Sequence, residues 1–133
     1  MYRASCLGLV LLLALCGCGD GNSSLNPRFQ PQVNNAQDNF QFQSTGVTNV
    51  TETLTYTWQN TGVLANVDQA TTVTAGSARL TLRDSLGTRV YDAGLERNGS
   101  LQSDPPGQPG AWTIVVTLQG YSGTINFRVQ KRP

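Results

Sequence analysis

From about residue 38 onward, apolar and polar residues alternate in short runs separated by turn residues. This alternation is typical of half-buried strands, because successive side chains of a strand point to opposite faces of the sheet. No window has the spacing of an amphipathic helix. The residues expected to face inward are Phe40, Phe42, Leu54, Tyr56, Trp58, Leu80, Leu82, Trp112, Ile114, Val116, Leu118, Ile125, Phe127 and Val129.

Turn residues divide these runs into about seven or eight strands. Asn60-Thr61-Gly62 ends one run, and Asp84-Ser85-Leu86-Gly87 predicts a hairpin because glycine adopts the positive φ that such a reversal needs. Residues 119–123 separate the last two strands. Three prolines in residues 105–109 exclude a central strand there. Residues 63–68 and 71–74 predict either one bent strand or two strands. Residues 99–103 can form a short edge strand.

These features predict an all-β fold, a small antiparallel β-sandwich of jelly-roll or Ig-like topology over residues 38–133. About a dozen large apolar residues face inward, and each stabilises the fold by roughly 1.5 to 3 kcal/mol when fully buried. That is enough to offset the conformational entropy lost by one small domain. We therefore expect one domain.

The first 17 residues have the layout of a secretory signal peptide. Arg3 provides a basic head, and residues 7–15 form an uninterrupted apolar run. A permanent transmembrane helix needs roughly 20 apolar residues, so the run predicts a cleaved leader rather than a retained helix.

The segment Leu15-Cys16-Gly17-Cys18 resembles a lipobox, the signal-peptidase II motif of bacterial lipoproteins. In that family the cysteine receives a diacylglycerol and the leader is cut just before it. The resemblance implies cleavage between Gly17 and Cys18 and membrane attachment through lipid on Cys18. Cys16 is the alternative, but Leu15 would then stand where the family has a small residue.

The residue after the lipidated cysteine bears on location. In lipoproteins of two-membrane bacteria an aspartate there retains the protein at the inner membrane, whereas here Gly19 takes that place. The resemblance thus implies the outer membrane of the cell envelope. Cys6 lies in the leader and no cysteine follows Cys18, so we expect no disulfide within the mature chain.

Residues 18–37 predict a lipidated flexible tether. They are rich in Gly, Asn, Ser, Gln and Pro and have no regular apolar pattern. A coil of this length reaches roughly 25 Å. Docking of Phe29 or Val33 on the domain would shift the boundary by several residues.

Composition excludes several chemistries. The chain has no histidine, which excludes Ser-His-Asp and Cys-His catalysis and histidine metal sites. Its acidic residues are scattered, and Asp84 and Asp104 stand in turns, where a carboxylate usually accepts hydrogen bonds from local backbone amides. No phosphate-binding or dinucleotide glycine pattern occurs. We therefore expect no catalytic residues, no metal, no cofactor and no enzymatic activity.

Charge argues against a nucleic-acid partner. Without Arg3, eight of the nine basic residues remain against eight acidic ones, a net charge of zero with no basic stripe. Arg79, Arg83 and Arg89 can share an outer face around the predicted hairpin, where exposed arginines ordinarily keep a sheet soluble.

The candidate ligand-binding residues are Tyr91 and Tyr121, which fall outside the core pattern and could stack on a sugar or peptide. The alternative is that each packs along a sheet rim with its hydroxyl in water.

The second half of the domain is similar to bacterial pre-peptidase C-terminal-type β-sandwiches. The resemblance lies in the strand of Leu80 and Leu82, the turn at 84–87 and the segments 110–118 and 123–127. In that group the domain accompanies secreted enzymes and sometimes binds sugars or matrix, whereas here we expect the domain to stand alone. We therefore expect a non-catalytic envelope lipoprotein acting in protein interaction or structure. The alternative is a carbohydrate-binding module that uses a sheet face or the loops around Tyr91 and 94–110.

Overall fold

The computed structural model describes residues 25–133, and this part of the chain is all-β, as predicted. Seven strands follow a single turn of 3-10 helix, and every strand pairing is antiparallel. The elements are η1 (Pro27–Phe29), β1 (Gln32–Ala36), β2 (Asn39–Asn60), β3 (Ala65–Gln69), β4 (Thr72–Arg83), β5 (Arg89–Gly94), β6 (Gly99–Gln102) and β7 (Gly110–Lys131).

The fold is organised around a ribbon of β2 and β7, which are each 22 residues long and pair along most of their length. The last residues of β7 also pair with β3, and its earlier residues pair with β4. The ribbon therefore carries two half-sheets. The first half-sheet comprises β1, the start of β2, the end of β7, β3 and β6, and the second comprises the end of β2, the start of β7, β4 and β5.

The ribbon bends in its middle, so that the two half-sheets face each other. Register shifts between Ser44 and Glu52 interrupt the pairing of β2 with β7, and such bulges bend a strand. The start of β2 then lies over its end, where the Asp38 N–H donates to the Gln59 carbonyl at 2.9 Å. This arrangement is the predicted sandwich.

The core fills the space between the half-sheets. Phe42 and Phe127 stack with centroids 5.5 Å apart, and Trp58 meets Trp112 edge to face at 5.9 Å. Both geometries are favoured by the quadrupoles of aromatic rings. All fourteen residues predicted to face inward are at most 2% exposed, which confirms the predicted strand faces.

Two glycines allow β4 to approach β7 closely at the bend. Gly76 has φ +68° and Gly123 has φ +146°, both in the region that favours glycine. A Cβ on Gly76 would overlap the Gly120 carbonyl, and one on Gly123 would overlap the Thr72 carbonyl. Because backbone cannot move aside as a side chain can, a larger residue at either position would disrupt the β4–β7 pairing.

The prediction that residues 119–123 separate two strands is wrong. β7 runs through them without reversing, with Gly120 at φ +51° and Gly123 at φ +146° where the ribbon bends. The runs around Phe40 and Trp58 likewise belong to one strand, β2. Glycine marks bulges within strands as well as turns, and both interrupt the alternation.

The predicted hairpin at Asp84–Gly87 is confirmed. β4 and β5 pair on either side of it, Gly87 has φ +85°, and its N–H donates to the Asp84 carbonyl at 3.0 Å. Residues 63–74 contain two strands, β3 and the start of β4, and β6 lies where an edge strand was expected.

The predicted boundary at residue 38 is wrong, because the folded domain includes residues assigned to the tether. Leu25 and Phe29 are buried in the core, and β1 pairs with β2 along its length. The Ser44 hydroxyl also donates to the Phe29 carbonyl at 2.8 Å. Pairing and burial thus order a segment whose own sequence is too polar to fold alone. Val33 is exposed and does not serve as an anchor.

Candidate functional site

The predicted lipidation and cleavage residues, Gly17 and Cys18, lie outside the described residues. Between residues 25 and 133 there is no helix with the length and apolar character needed to cross a membrane.

Tyr91 and Tyr121 are not available to a ligand, contrary to the prediction. Tyr91 is 8% exposed, and its hydroxyl donates to Gln69 Oε1 at 2.7 Å. Tyr121 is fully buried and donates to the Thr72 carbonyl at 2.7 Å. The alternative of a water-exposed hydroxyl is also wrong. Burial raises the pKa of Tyr91 and of Tyr121 to about 12, so both remain neutral donors in the folded protein.

These tyrosines have structural roles. Gln69 accepts the Tyr91 hydrogen bond, and its Nε2 donates to the carbonyls of Gly94 and Arg97 at 3.1 and 2.9 Å. The hydrogen-bonding groups of the Gln69 side chain are therefore paired with β5 and with the loop that follows it. Because buried polar groups are costly to leave unpaired, this network stabilises the loop rather than binding a ligand.

The two aspartates predicted to bond local backbone differ. Asp84 is almost fully buried, and its carboxylate accepts from the N–H groups of Leu86, Thr88 and Gln108 at 2.8 to 3.0 Å. Burial opposes ionisation, but these hydrogen bonds outweigh it and hold the pKa of Asp84 below its ordinary value. The Asp104 carboxylate is exposed and makes no hydrogen bond within residues 25–133, so the prediction holds for Asp84 alone.

The three arginines predicted to share an outer face do so on the second half-sheet, where all are exposed. Arg79 forms a hydrogen-bonded ion pair with Asp92, and Arg89 Nη1 lies 3.3 Å from the same carboxylate. The bond from Arg79 is the main reason that the pKa of Asp92 is lowered. Arg83 donates to the Gly87 carbonyl at 3.1 Å. In the described part of the chain, no three acidic or cysteine side chains are grouped so as to hold a metal ion.

The outward surface of the first half-sheet is rich in side-chain amides, and we call it the amide face. Strand register brings residues that are distant in sequence into three rows across the strands. The first row is Gln32, Gln43 and Asn126; the second is Asn34, Gln41, Arg128, Asp68 and Ser100; the third is Asn39, Gln130, Asn66 and Gln102.

The second row crosses all five strands of the first half-sheet. Since neighbouring strands lie about 4.8 Å apart, this row is roughly 19 Å long. A groove of about 760 Å³ lies over the first two rows, bordered by Pro31 on one side and Gly99 on the other. The face can therefore accommodate an extended ligand running across the strands.

Five exposed amide side chains on this face have no partner among residues 25–133. Gln32, Asn34, Gln41, Gln43 and Asn126 are exposed, and no protein atom in that range hydrogen-bonds to their amide groups. Each amide offers two donor hydrogens and an acceptor oxygen. The face thus presents a set of unused donors and acceptors in a fixed arrangement.

The charged residues of the amide face compensate each other. Asp68 accepts a hydrogen bond from the Ser100 hydroxyl at 2.7 Å, and its other oxygen lies 4.0 Å from Arg128 Nε. The one acid and the one base of the first two rows therefore compensate each other, so the groove over these rows is electrically neutral. The third row differs, because Arg132 Nη1 donates to Gln102 Oε1 at 2.6 Å.

The groove offers no aromatic ring for stacking. Phe42 and Phe127 border it, but both are only 1% exposed and pack in the core. Sequence reasoning missed this surface because each amide, taken alone, is an ordinary outward position of an alternating strand. The available signal was the repeated Gln and Asn between inward apolar residues at 39–43.

Comparison with known proteins leaves the chain without an assigned relative: no protein-family model and no curated protein sequence matches it.

Proposed function

We propose that this protein is a bacterial envelope lipoprotein, held at the outer membrane by lipid on Cys18, whose β-sandwich is a non-catalytic binding module. The lipobox-like segment at residues 15–18 and the Gly19 that follows it support the anchor. Two or more acyl chains make such attachment stable, since each buried methylene contributes about 0.8 kcal/mol.

The ordered N-terminal segment affects how this anchor would work. Residues 19–24 alone separate Cys18 from the buried Leu25. Even fully extended, that segment spans only roughly 25 Å, and a lipidated protein would keep its domain near the bilayer. The binding module would therefore act on material close to the membrane surface.

The observation that carries the binding role is the set of five unpartnered amides on the amide face. Asn is depleted in strands, so propensity for β structure does not explain Asn34 or Asn126 at these positions. Of the two roles considered from the sequence, this face favours carbohydrate binding over a protein contact. The site differs from the one predicted, because Tyr91 and Tyr121 are buried.

Metabolic labelling with a fatty-acid analogue tests the anchor. Cys18→Ala should abolish incorporation, whereas the matched control Cys16→Ala should retain it, and mass spectrometry should find an acylated Cys18 at the mature N-terminus. Continued labelling of Cys18→Ala, or an unmodified mature terminus, would contradict the proposal.

A further inference from the structure

We propose that the amide face binds a neutral, hydroxyl-rich polysaccharide chain lying across the strands. The proposal rests on the binding role proposed above and specifies its ligand. It assigns Gln32, Asn34, Gln41, Gln43 and Asn126 as the contacting residues.

Hydroxyl groups match the chemistry of this face. A sugar hydroxyl donates one hydrogen bond and accepts others, as a carboxamide does. The five amides have both capacities unused within the described chain. A ligand that could only accept hydrogen bonds would leave the amide oxygens without partners, and one that could only donate them would leave the NH2 groups without partners. Removing such groups from water without a new partner is costly.

Electrical neutrality favours an uncharged polymer. Asp68 is engaged by Ser100 and by Arg128, so the groove offers no uncompensated charge to an anion. The arginines open to an anionic polymer lie outside the groove: Arg132 is beside the third row, and Arg79, Arg83 and Arg89 are on the second half-sheet. Charge complementarity therefore selects a neutral ligand for the amide face.

The composition of the groove argues against a protein partner. The centres of protein interfaces are enriched in aromatic residues and methionine, and a few buried anchors supply most of the binding energy. The groove exposes no aromatic side chain, and Val33 is its one exposed large apolar residue. The length of the second row instead suits a polymer that contacts several amides in succession.

Binding by hydrogen bonds alone is expected to be weak for one sugar and stronger for a chain. Each neutral hydrogen bond makes a modest net contribution, because it replaces one to water. A polymer spanning the row adds such contacts without additional loss of translational freedom. Affinity should therefore increase with oligosaccharide length until the ligand spans the groove.

The test is titration calorimetry of the mature full chain, solubilised in detergent, with dextran, laminarin and galactomannan as neutral probes and alginate as the anionic probe. We expect saturable binding of at least one neutral polymer and none of alginate. The variant Gln41→Ala/Asn126→Ala should weaken that binding by about tenfold or more, since it removes two hydrogen-bonding groups. The second variant Asn34→Ala/Gln43→Ala should act in the same direction.

The matched control is Gln59→Ala/Gln119→Ala, which removes two exposed amides outside the amide face and should change affinity less than about twofold. Thermal melting verifies that each variant is folded. Absence of binding to all three neutral polymers, preference for alginate, or equal effects of face and control variants would overturn the inference.

These outcomes are separable from those for the proposed function. Loss of the lipid anchor would appear in the labelling of Cys18→Ala and would not alter titration in detergent. Release of reducing ends from a bound polymer would contradict the non-catalytic role, while leaving the assignment of the amide face intact.

Discussion

The outer surfaces of the two half-sheets are built on the same β2–β7 ribbon yet differ in chemistry. On the first half-sheet the outward residues are mainly Asn and Gln, and five of their exposed amides have no partner within residues 25–133. On the second they are mainly Thr and Arg, and Asp92 pairs with both Arg79 and Arg89.

The two surfaces differ in how far strand propensity and side-chain pairing explain their outward residues. Threonine is favoured in strands, and the outward threonines of β2 and β7 pair directly, as with Thr53 and Thr117 or Thr57 and Thr113. Asparagine is disfavoured in strands, and Asn34 and Asn126 gain no hydrogen bond from their side chains within the described chain. Strand propensity and side-chain pairing therefore account for the outward residues of the second half-sheet but not for Asn34 and Asn126, and this is the observation behind the proposed binding role.

The largest expected effect tests whether both half-sheets share one core. Trp112 lies in the second half-sheet and Phe127 in the first, and both are buried. Trp112→Ala and Phe127→Ala should each lower the free energy of unfolding by about 3 to 5 kcal/mol. Each variant should still show one cooperative transition by circular dichroism.

Outer-face variants are the controls for this experiment. Gln43→Ala and Arg83→Ala, one on each half-sheet, should change stability by less than about 0.5 kcal/mol. An unchanged melting temperature in both core variants, or separate transitions for the two half-sheets, would contradict a shared core.

A smaller effect distinguishes two buried tyrosines at different places in the core. Tyr121→Phe removes the hydrogen bond to the Thr72 carbonyl and should cost about 1 kcal/mol. The buried Tyr56 hydroxyl has no partner in the described chain, so Tyr56→Phe should be neutral or stabilising by up to about 1 kcal/mol. Urea unfolding measures both, and the opposite order would show that these hydroxyl environments are misassigned.

The same tyrosines predict the alkaline limit of stability. Burial raises the pKa values of Tyr56, Tyr91 and Tyr121 to about 12 from the ordinary value of 10.0. The unfolded chain therefore releases these protons first, so the tyrosines leave stability unchanged between neutral pH and about pH 10 and lower it as pH rises towards 12. Each Tyr→Phe substitution should make this fall less steep.

The smallest effect concerns the ion pairs of the second half-sheet. The hydrogen bond from Arg79 holds the pKa of Asp92 below its ordinary value of 3.8. The ionised Asp92 therefore stabilises the fold above about pH 3.8, and this stabilisation is lost as the pH falls below that value. Asp92→Asn should weaken this dependence of stability on acid pH. It should lower the free energy of unfolding only slightly, and the loss should be smaller in high salt because salt screens exposed ion pairs. Gln43→Ala should show no salt dependence. Equal salt dependence in the two variants would remove this distinction between the faces.

Much of the fold could be predicted from local sequence. Alternation identified every inward residue of the five long runs, because burial of one face imposes a period of two. The Asp84–Gly87 hairpin was also predictable, since its turn chemistry is contained in four residues. These features depend on neighbours in the chain.

The features that sequence did not reveal depend on distant residues. Gly120 and Gly123 have the composition of a turn, and only the pairing of β7 with β2 and β4 shows that the strand continues. Tyr91 lies outside the alternating core pattern, and the partner of its buried hydroxyl, Gln69, is 22 residues away in the sequence. The amide face likewise exists only after register brings Gln41, Asn126 and Asn34 together.

The most direct test of the account is nuclear magnetic resonance of the mature protein in detergent micelles, titrated with the neutral polymer that binds most tightly. The side-chain NH2 signals of Gln41, Gln43 and Asn126 should shift in proportion to saturation, while those of Gln59 and the Arg79 guanidinium stay fixed. Shifts confined to the second half-sheet, or saturable binding that leaves the amide face unperturbed, would contradict the account.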